Sequence, residues 1–341
     1  MSAADAPAGL RIELADATAF DFPLDEDSLL RAALRAGVPW PYECSVGGCG
    51  SCRFDLLEGE VEDLWPGAPG LGQRERARGR RLACQSRPLT PLRIKARLDE
   101  ADPALRPARR MSVRLLQRRA LGADMAEFTF ESAGPAQFLA GQYALFHWPG
   151  VPGPRAYSMS NLPNPSGLWS FIVRRAPHGA GSRALFEGLL AGTQCDMDGP
   201  YGHAYYRQEA ARDIVCVAGG SGLGPMLSIV RAFVARPAGR RLHIYYGVRD
   251  QRDLASADDL RALADARLAD LTVVLSQPAA SPAWSGATGF VHEQVERDLG
   301  GRARVMEHYL AGPPPMLDAM QDYLLLRAGV PHRQIHFDRF V

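Results

Sequence analysis

Cys44, Cys49, Cys52 and Cys84 stand in the order C-x4-C-x2-C with a distant fourth, the spacing that gathers four thiolates around a [2Fe-2S] cluster. Three sulfurs from one short stretch must converge on one side of a small cluster, so the loop that carries them has to turn tightly. The stretch Cys44-Ser-Val-Gly-Gly-Cys49-Gly-Ser-Cys52 supplies Gly47, Gly48 and Gly50, which accept positive φ and let backbone N–H groups point at sulfur. Such a group exchanges one electron at a time. A zinc knuckle also takes four cysteines, but typically through two short hooks rather than one three-cysteine hook and an isolated partner. A disulfide framework or a set of buried thiols is the other competitor, and six cysteines in 341 residues are few for a framework. Cys195 and Cys216 have no ligand spacing and read as packed thiols.

Two further stretches carry chemistry. Asp213-Ile-Val-Cys-Val-Ala-Gly-Gly-Ser-Gly-Leu-Gly-Pro225 is a buried strand running into a glycine turn and an apolar helix. There Gly219, Gly220, Gly222 and Gly224, with Ser221 among them, allow a pyrophosphate to approach the backbone at a helix N-terminus. Arg155-Ala156-Tyr157-Ser158 lines up an arginine, a ring and a hydroxyl that suit a phosphate, an isoalloxazine face and a flavin edge. Taken alone, Tyr157 reads first as a core aromatic.

Three segments must hold these residues. In residues 9–98, strand-like runs at Leu10 to Leu14 and Thr18 to Phe22 precede a helix from about Ser28 to Arg35, with Asp25, Glu26 and Asp27 at its start and Gly37 past its end. The cysteine loop follows, then strands at Arg53 to Leu57 and Leu92 to Leu98. Residues 99–108, with two prolines and several charges, read as a linker. Residues 109–208 show strands at Ser112 to Gln117, Glu127 to Glu131, Tyr143 to Trp148 and Leu168 to Arg174, the pattern of a small antiparallel barrel. Residues 212–341 alternate strand and helix, with buried strands at Ile214 to Ala218, Leu242 to Tyr246, Leu271 to Leu275 and His308 to Ala311. That rhythm implies a parallel sheet with helices on both faces.

Composition narrows the class. Hydrophobic content of 46% and charged content of 23% are those of a globular chain, and a net charge of +1 gives no electrostatic case for nucleic acid. No apolar run approaches the roughly 20 residues of a membrane span, and Met1-Ser-Ala-Ala-Asp-Ala-Pro lacks a signal pattern, so a cytoplasmic protein is expected. Lys95 is the only lysine among 39 basic residues. Arg74, Arg76, Arg78, Arg80 and Arg81, opposed only by Glu75, form a local basic run that reads first as a solvated face and second as a docking patch for an acidic partner.

Taken in order, R-x-Y-S, a V-R with a G-x-G-S turn ending at Ser182, the glycine turn, Tyr246-Gly-Val-Arg-Asp-Gln-Arg-Asp-Leu254 and Gly312-Pro-Pro-Pro-Met316 resemble the ferredoxin-NADP reductase superfamily. With a plant-type ferredoxin domain at the N-terminus, the whole chain resembles the NADH-dependent reductase components of bacterial multicomponent oxygenases, the toluene 4-monooxygenase type most of all. That likeness rests on Tyr42-Glu-Cys44, Leu64-Trp-Pro-Gly-Ala-Pro-Gly-Leu71, Leu82-Ala-Cys-Gln85 and Ile335-His-Phe-Asp-Arg-Phe340. The resemblance implies a β-grasp [2Fe-2S] domain, a flavin-binding barrel and an α/β nicotinamide nucleotide domain. Electrons would pass from NADH through FAD and the cluster to a Rieske-type ferredoxin or an oxygenase.

The same resemblance implies roles. Arg155 goes to the flavin phosphates, Tyr157 to the isoalloxazine face and Ser158 to the region near N5. Ile172, Val173 and Arg174 go to the ribityl and adenosine side, and Gly181 and Ser182 to the pyrophosphate. Gly219 to Gly224 face the nicotinamide nucleotide, Gly247, Arg249 and Asp253 lie along its far half, and Gly312, Pro313 and Pro314 shape the nicotinamide pocket. Ala311 stands where much of the superfamily has cysteine, so flavin reduction is expected to be slower but intact. Phe340-Val341 would cover the flavin or close a plain strand end. Arg249 and Arg252 keep NADPH open beside NADH, since arginine is the usual partner of a 2′-phosphate. A plant-type cluster sits at about −400 mV, low enough for most Rieske centres, so potential alone does not choose the acceptor. Reductases of ring-hydroxylating dioxygenases or haem monooxygenases share this layout, and a non-enzymatic redox sensor remains a reading from another class.

Overall fold

A computed structural model describes residues 9–148, 150–237, 239–264, 269–280 and 283–340. The N-terminal heptapeptide and Val341 therefore lie outside the described residues. Contacts divide the chain into two units, residues 1–109 and 110–341.

The first unit opens with a hairpin of β1 (Gly9–Leu14) and β2 (Ala19–Pro23), whose two-residue alternation buries Ile12, Leu14, Phe20 and Phe22. Helix α1 (Leu29–Arg35) starts at Ser28, whose hydroxyl accepts the Arg31 N–H at 3.4 Å. The acidic triplet expected at its start lies just before the cap, and two of its members reach forward, Asp27 to Arg31 and Glu26 to Arg35. Then come β3 (Arg53–Glu58), β4 (Val61–Asp63), α2 (Gln73–Ala77), β5 (Arg80–Leu82), β6 (Ser86–Pro88) and β7 (Leu92–Ala96). The main sheet runs β2-β1-β7-β3-β5, with β1 and β7 parallel, and β4 pairs with β6. Helix α1 lays Leu29, Leu30, Ala32 and Ala33 into the core of this β-grasp. Short β4, β5, β6 and α2 escape a reading by periodicity because each has too few residues to show one. In the basic run, Arg76 pairs with Asp63 and Arg80 with Asp55 and Glu75, which makes it an ion-paired surface. Residues 97–108 hold no helix or strand but are not a loose tether. Asp99 N–H donates to Pro39 O at 2.9 Å, and Arg35 Nη1 to Ala108 O at 2.8 Å.

The second unit begins with an antiparallel sheet of β8 (Arg109–Ala120), β9 (Met125–Ser132), β10 (Tyr143–His147), β11 (Arg155–Ser158), β12 (Leu168–Arg174) and β13 (Gln194–Tyr201), ordered β11-β10-β13-β8-β9-β12. A bridge between Met159 and Phe171 joins the two edges into a barrel. Phe128, Phe130, Phe146, Trp169 and Phe171 fill it. Strand β13 carries Gly199-Pro200 and no clean alternation, which hides it from the sequence. Between β12 and β13 lies the short helix α3 (Ala180–Arg183).

All strands of the following sheet are parallel: β14 (Ile214–Gly219), β15 (Leu242–Val248), β16 (Ala269–Leu275), β17 (Ala287–Thr288), β18 (Glu307–Gly312) and β19 (Ile335–Arg339), in the order β17-β16-β15-β14-β18-β19. Helices α4 (Leu223–Ala235) and α5 (Asp258–Ala264) cover one face, and α6 (Val291–Leu299) and α7 (Pro314–Gln321) the other. Strand β14 shows why both are covered: Ile214, Cys216 and Ala218 enter one core, Val215 and Val217 the opposite one. The first of these cores also takes Leu121, Met125 and Ile172 from the barrel, so barrel and parallel sheet are packed together.

Candidate functional site

The cysteine loop is held by backbone that has no room for side chains. Ser45, Gly47 and Gly50 take φ of 56°, 94° and 83°. A Cβ on Gly50 would lie 2.4 Å from Gly70 O, and Gly70 N–H donates to Gly47 O at 2.9 Å, so residues 47–50 and 68–70 meet main chain to main chain. Gly48 and Cys49 aim N–H groups at Cys44 Sγ from 3.3 and 3.4 Å, and Ser51 at Cys49 Sγ from 3.4 Å. Among the described residues no three His, Cys, Asp or Glu converge on a point that could hold one metal ion. The thiols form pairs instead. Hydrogen bonding to Cys44 holds Cys49 down at about 5 and pushes Cys44 up. Its bond to Cys52, burial, and the Cys52 and Cys44 charges push Cys84 up, against the pull of Arg31. Two pairs of thiolates are the donor set of a two-iron cluster, whereas one tetrahedral zinc needs all four at a point. The residues fit the cluster and not the knuckle. Cys195 and Cys216 are buried within the second unit, both thiols raised chiefly by burial.

On β11, half-buried Arg155 donates through Nη1 to the carbonyls of Pro152, Gly153 and Pro154 at 3.0, 3.2 and 3.1 Å and meets no carboxylate among the described residues. A Cβ on Gly181 would fall 2.7 Å from Arg155 Cγ and 3.0 Å from Tyr157 Oη, so these three meet at one place. Ser182 Oγ is used locally, accepting Ala176 N–H at 3.0 Å and donating to Gly179 O at 3.1 Å. Tyr157 packs 5.9 Å from Phe146, and burial pushes its phenol up to about 12. An unpaired guanidinium, a glycine cradle and a ring beside half-buried Ala156 fit a phosphate-bearing flavin. Ile172 and Val173 bury their side chains in the two cores, which leaves only their backbone for a ligand. Ser158 is buried and donates to Asp338 Oδ2 at 2.6 Å.

At the C-terminal ends of β14, β15 and β18 lies a cleft of about 490 Å³, the usual ligand position in such a sheet. Gly219, Gly220 and Ser221 line it, as do Gly247, Arg249, Pro313 and Phe340. Gly222 and Gly224 do not. A Cβ on Gly222 would sit 2.0 Å from Ala311 O, so that glycine lets the turn cross β18, and Gly224 abuts Ser158 O. Gly312 is buried beneath the wall and Pro314 starts α7. Arg174, which the resemblance sends to the flavin, lines this cleft, tied to Asp253 at 2.9 Å and Asp124 at 3.3 Å. Asp253 is thereby turned from the cleft into that pair. Arg252 is clamped by Asp250, Nη2 to Oδ2 at 2.6 Å, while Arg249 lines the cleft. Ala311 is fully buried in the core.

Three family models match in sequence: a 2Fe-2S iron-sulfur cluster binding domain over residues 13–89, an oxidoreductase FAD-binding domain over 112–206 and an oxidoreductase NAD-binding domain over 216–322. Over 92% of its length the chain is 41% identical to a ferredoxin–NAD(P)(+) reductase of Metapseudomonas resinovorans, covering 94% of that protein. The chain belongs to this reductase family. A ferredoxin–NAD(+) reductase component of the alkene monooxygenase system of Xanthobacter autotrophicus is 40% identical over 97% of the chain and all of its own length. The solved ferredoxin reductase in carbazole 1,9a-dioxygenase superposes with a TM-score of 0.88 at 37% identity, over 97% of this chain and 98% of that one. The chain is an oxidoreductase of three parts, with the [2Fe-2S], FAD-binding and nicotinamide nucleotide-binding domains in that order along the sequence. No helix among the described residues is long and apolar enough to cross a membrane.

Sequence reasoning missed Asp338, which meets Ser158 across 180 positions. Its only signal was its place in the closing Phe-Asp-Arg-Phe stretch. Phe290 and His292 also line the cleft without any motif to mark them, and Met316 lines it from the end of the Gly-Pro-Pro-Pro-Met stretch.

Proposed function

We propose that this chain takes a hydride from NADH and passes electrons singly to a Rieske-type ferredoxin or oxygenase of an aromatic-oxygenating system. The supporting observation is the coexistence, in one chain, of the paired thiols of Cys44, Cys49, Cys52 and Cys84 with the glycine-lined cleft next to Ser158 and Arg155. Domain limits of 9–98, 109–208 and 212–341 follow from that reading. When bound, the flavin accepts hydride as two electrons and the cluster carries them one by one.

The protein's own residues bind and orient. Arg155 is placed to neutralise a pyrophosphate, with Gly181 keeping its approach open. Ser158 has its hydrogen committed to Asp338, so Oγ would offer only lone pairs and would accept from an N–H of a bound flavin. Gly219, Gly220 and Ser221 offer backbone N–H groups to the nucleotide phosphates, and Pro313 and Phe340 wall off water where the nicotinamide would lie. A hydride exchanged directly between bound cofactors would need no side-chain acid, so the buried Ala311 would not be missed as a proton donor. NADH is chosen on the family resemblance; Arg252 is held by Asp250, while Arg249 lines the cleft as the one place a 2′-phosphate could be met among these two arginines. Steady-state rates favouring NADPH tenfold would reverse that choice. Of the two relatives named above, one serves an alkene monooxygenase and the structural match belongs to a dioxygenase, so either class of acceptor is compatible. The test is NADH-driven reduction of cytochrome c and of purified candidate acceptors, and a protein that oxidises no NADH with ferricyanide refutes the enzyme reading.

A further inference from the structure

Arg31 is 1% exposed, a cation almost wholly withdrawn from water, and such burial costs several kcal/mol unless it is paired. Its Nε is bonded to Asp27 Oδ1, while Nη1 donates to Ser45 O at 3.4 Å. Ser45 follows Cys44 and holds a φ of 56° that a residue with a side chain rarely adopts. Helix α1 also packs on the short turn Ala83–Gln85 that carries Cys84. The buried charge is thus bonded to one sulfur-bearing stretch, and the helix that carries it packs on the other. Asp27 pairs with the Nε side of the guanidinium, whose 1% exposure leaves its charge unscreened by water.

We propose that Arg31 is a positioning residue that fixes the Cys44–Ser45 turn through its carbonyl and raises the reduction potential of the cluster. Each added electron adds one negative charge among four thiolates, and a buried cation nearby favours that state. The inference rests on reading the four cysteines as ligands.

The test is the midpoint potential of the cluster in the full chain, read by EPR-monitored titration with iron content measured alongside. Arg31→Met should lower the midpoint by at least a tenfold change in electron sharing, about 59 mV for one electron. Arg31→Lys should lower it less, and Asp27→Asn, which removes the countercharge, should raise it. A purely structural Arg31 would move stability and leave the potential in place. An assembled Arg31→Met cluster at the parent potential overturns the proposal. If that variant does not assemble, parent-like potentials in both Arg31→Lys and Asp27→Asn overturn it equally. Absence of a cluster in the unaltered, reconstituted chain would instead refute the ligand assignment itself.

Discussion

Removing the Ser158–Asp338 hydrogen bond tests whether the hydroxyl is oriented for chemistry or merely buried. The pair is 2.6 Å long with both residues under a tenth exposed, and a hydrogen bond to a charged group in such surroundings contributes about 1.5–3 kcal/mol. If that energy is felt at the barrier, it corresponds to about a 10- to 150-fold loss in rate. The assay is anaerobic stopped-flow bleaching of flavin absorbance by NADH in Ser158→Ala, Asp338→Ala and the double variant. Because each replacement removes the same bond, the double variant should be little slower than the slower single one, with a coupling energy of that size. Strictly multiplicative losses would show that the two residues act independently and would refute the orienting role. Unchanged flavin content in all three separates this effect from loss of the barrel.

Serine at Cys44, Cys49, Cys52 or Cys84 should abolish the cluster's visible absorbance and cytochrome c reduction while NADH–ferricyanide turnover persists, whereas Cys195→Ser and Cys216→Ser should keep both. Gly222→Ala places a Cβ 2.0 Å from Ala311 O, backbone against backbone, and should lower the melting temperature by roughly 2–10 °C. Gly134→Ala, with nothing within 4 Å, should leave it in place under the same calorimetric scan. Burial holds the His308 imidazole down at about 4, against about 6.5 when unfolded. The unfolded chain therefore binds a proton that the fold refuses, and stability should fall between pH 6.5 and 4, on the order of 3 kcal/mol in all. Denaturant melts of His308→Gln should show that slope flattened by about one proton, and an unchanged slope would remove His308 as its source.

The sequence by itself determined which four cysteines share a ligand spacing, the order of the three segments and the class of each sheet, because these rest on contiguous information. A C-x4-C-x2-C hook is a local loop, two-residue alternation and buried runs are local periods, and a strand running into glycines is one turn of chain. Only the tertiary structure decided which glycines face a ligand and which face protein: Gly219 and Gly220 open the cleft, while Gly222 exists for the carbonyl of Ala311, and the two kinds look alike in one dimension. It likewise turned Arg174 and Asp253 into an ion pair at the cleft wall, joined Ser158 to Asp338, and set Arg31 beneath the cysteine loop. Each of these links residues from separate elements, and a side chain's partner across elements is chosen by packing, for which adjacent residues along the chain hold no record.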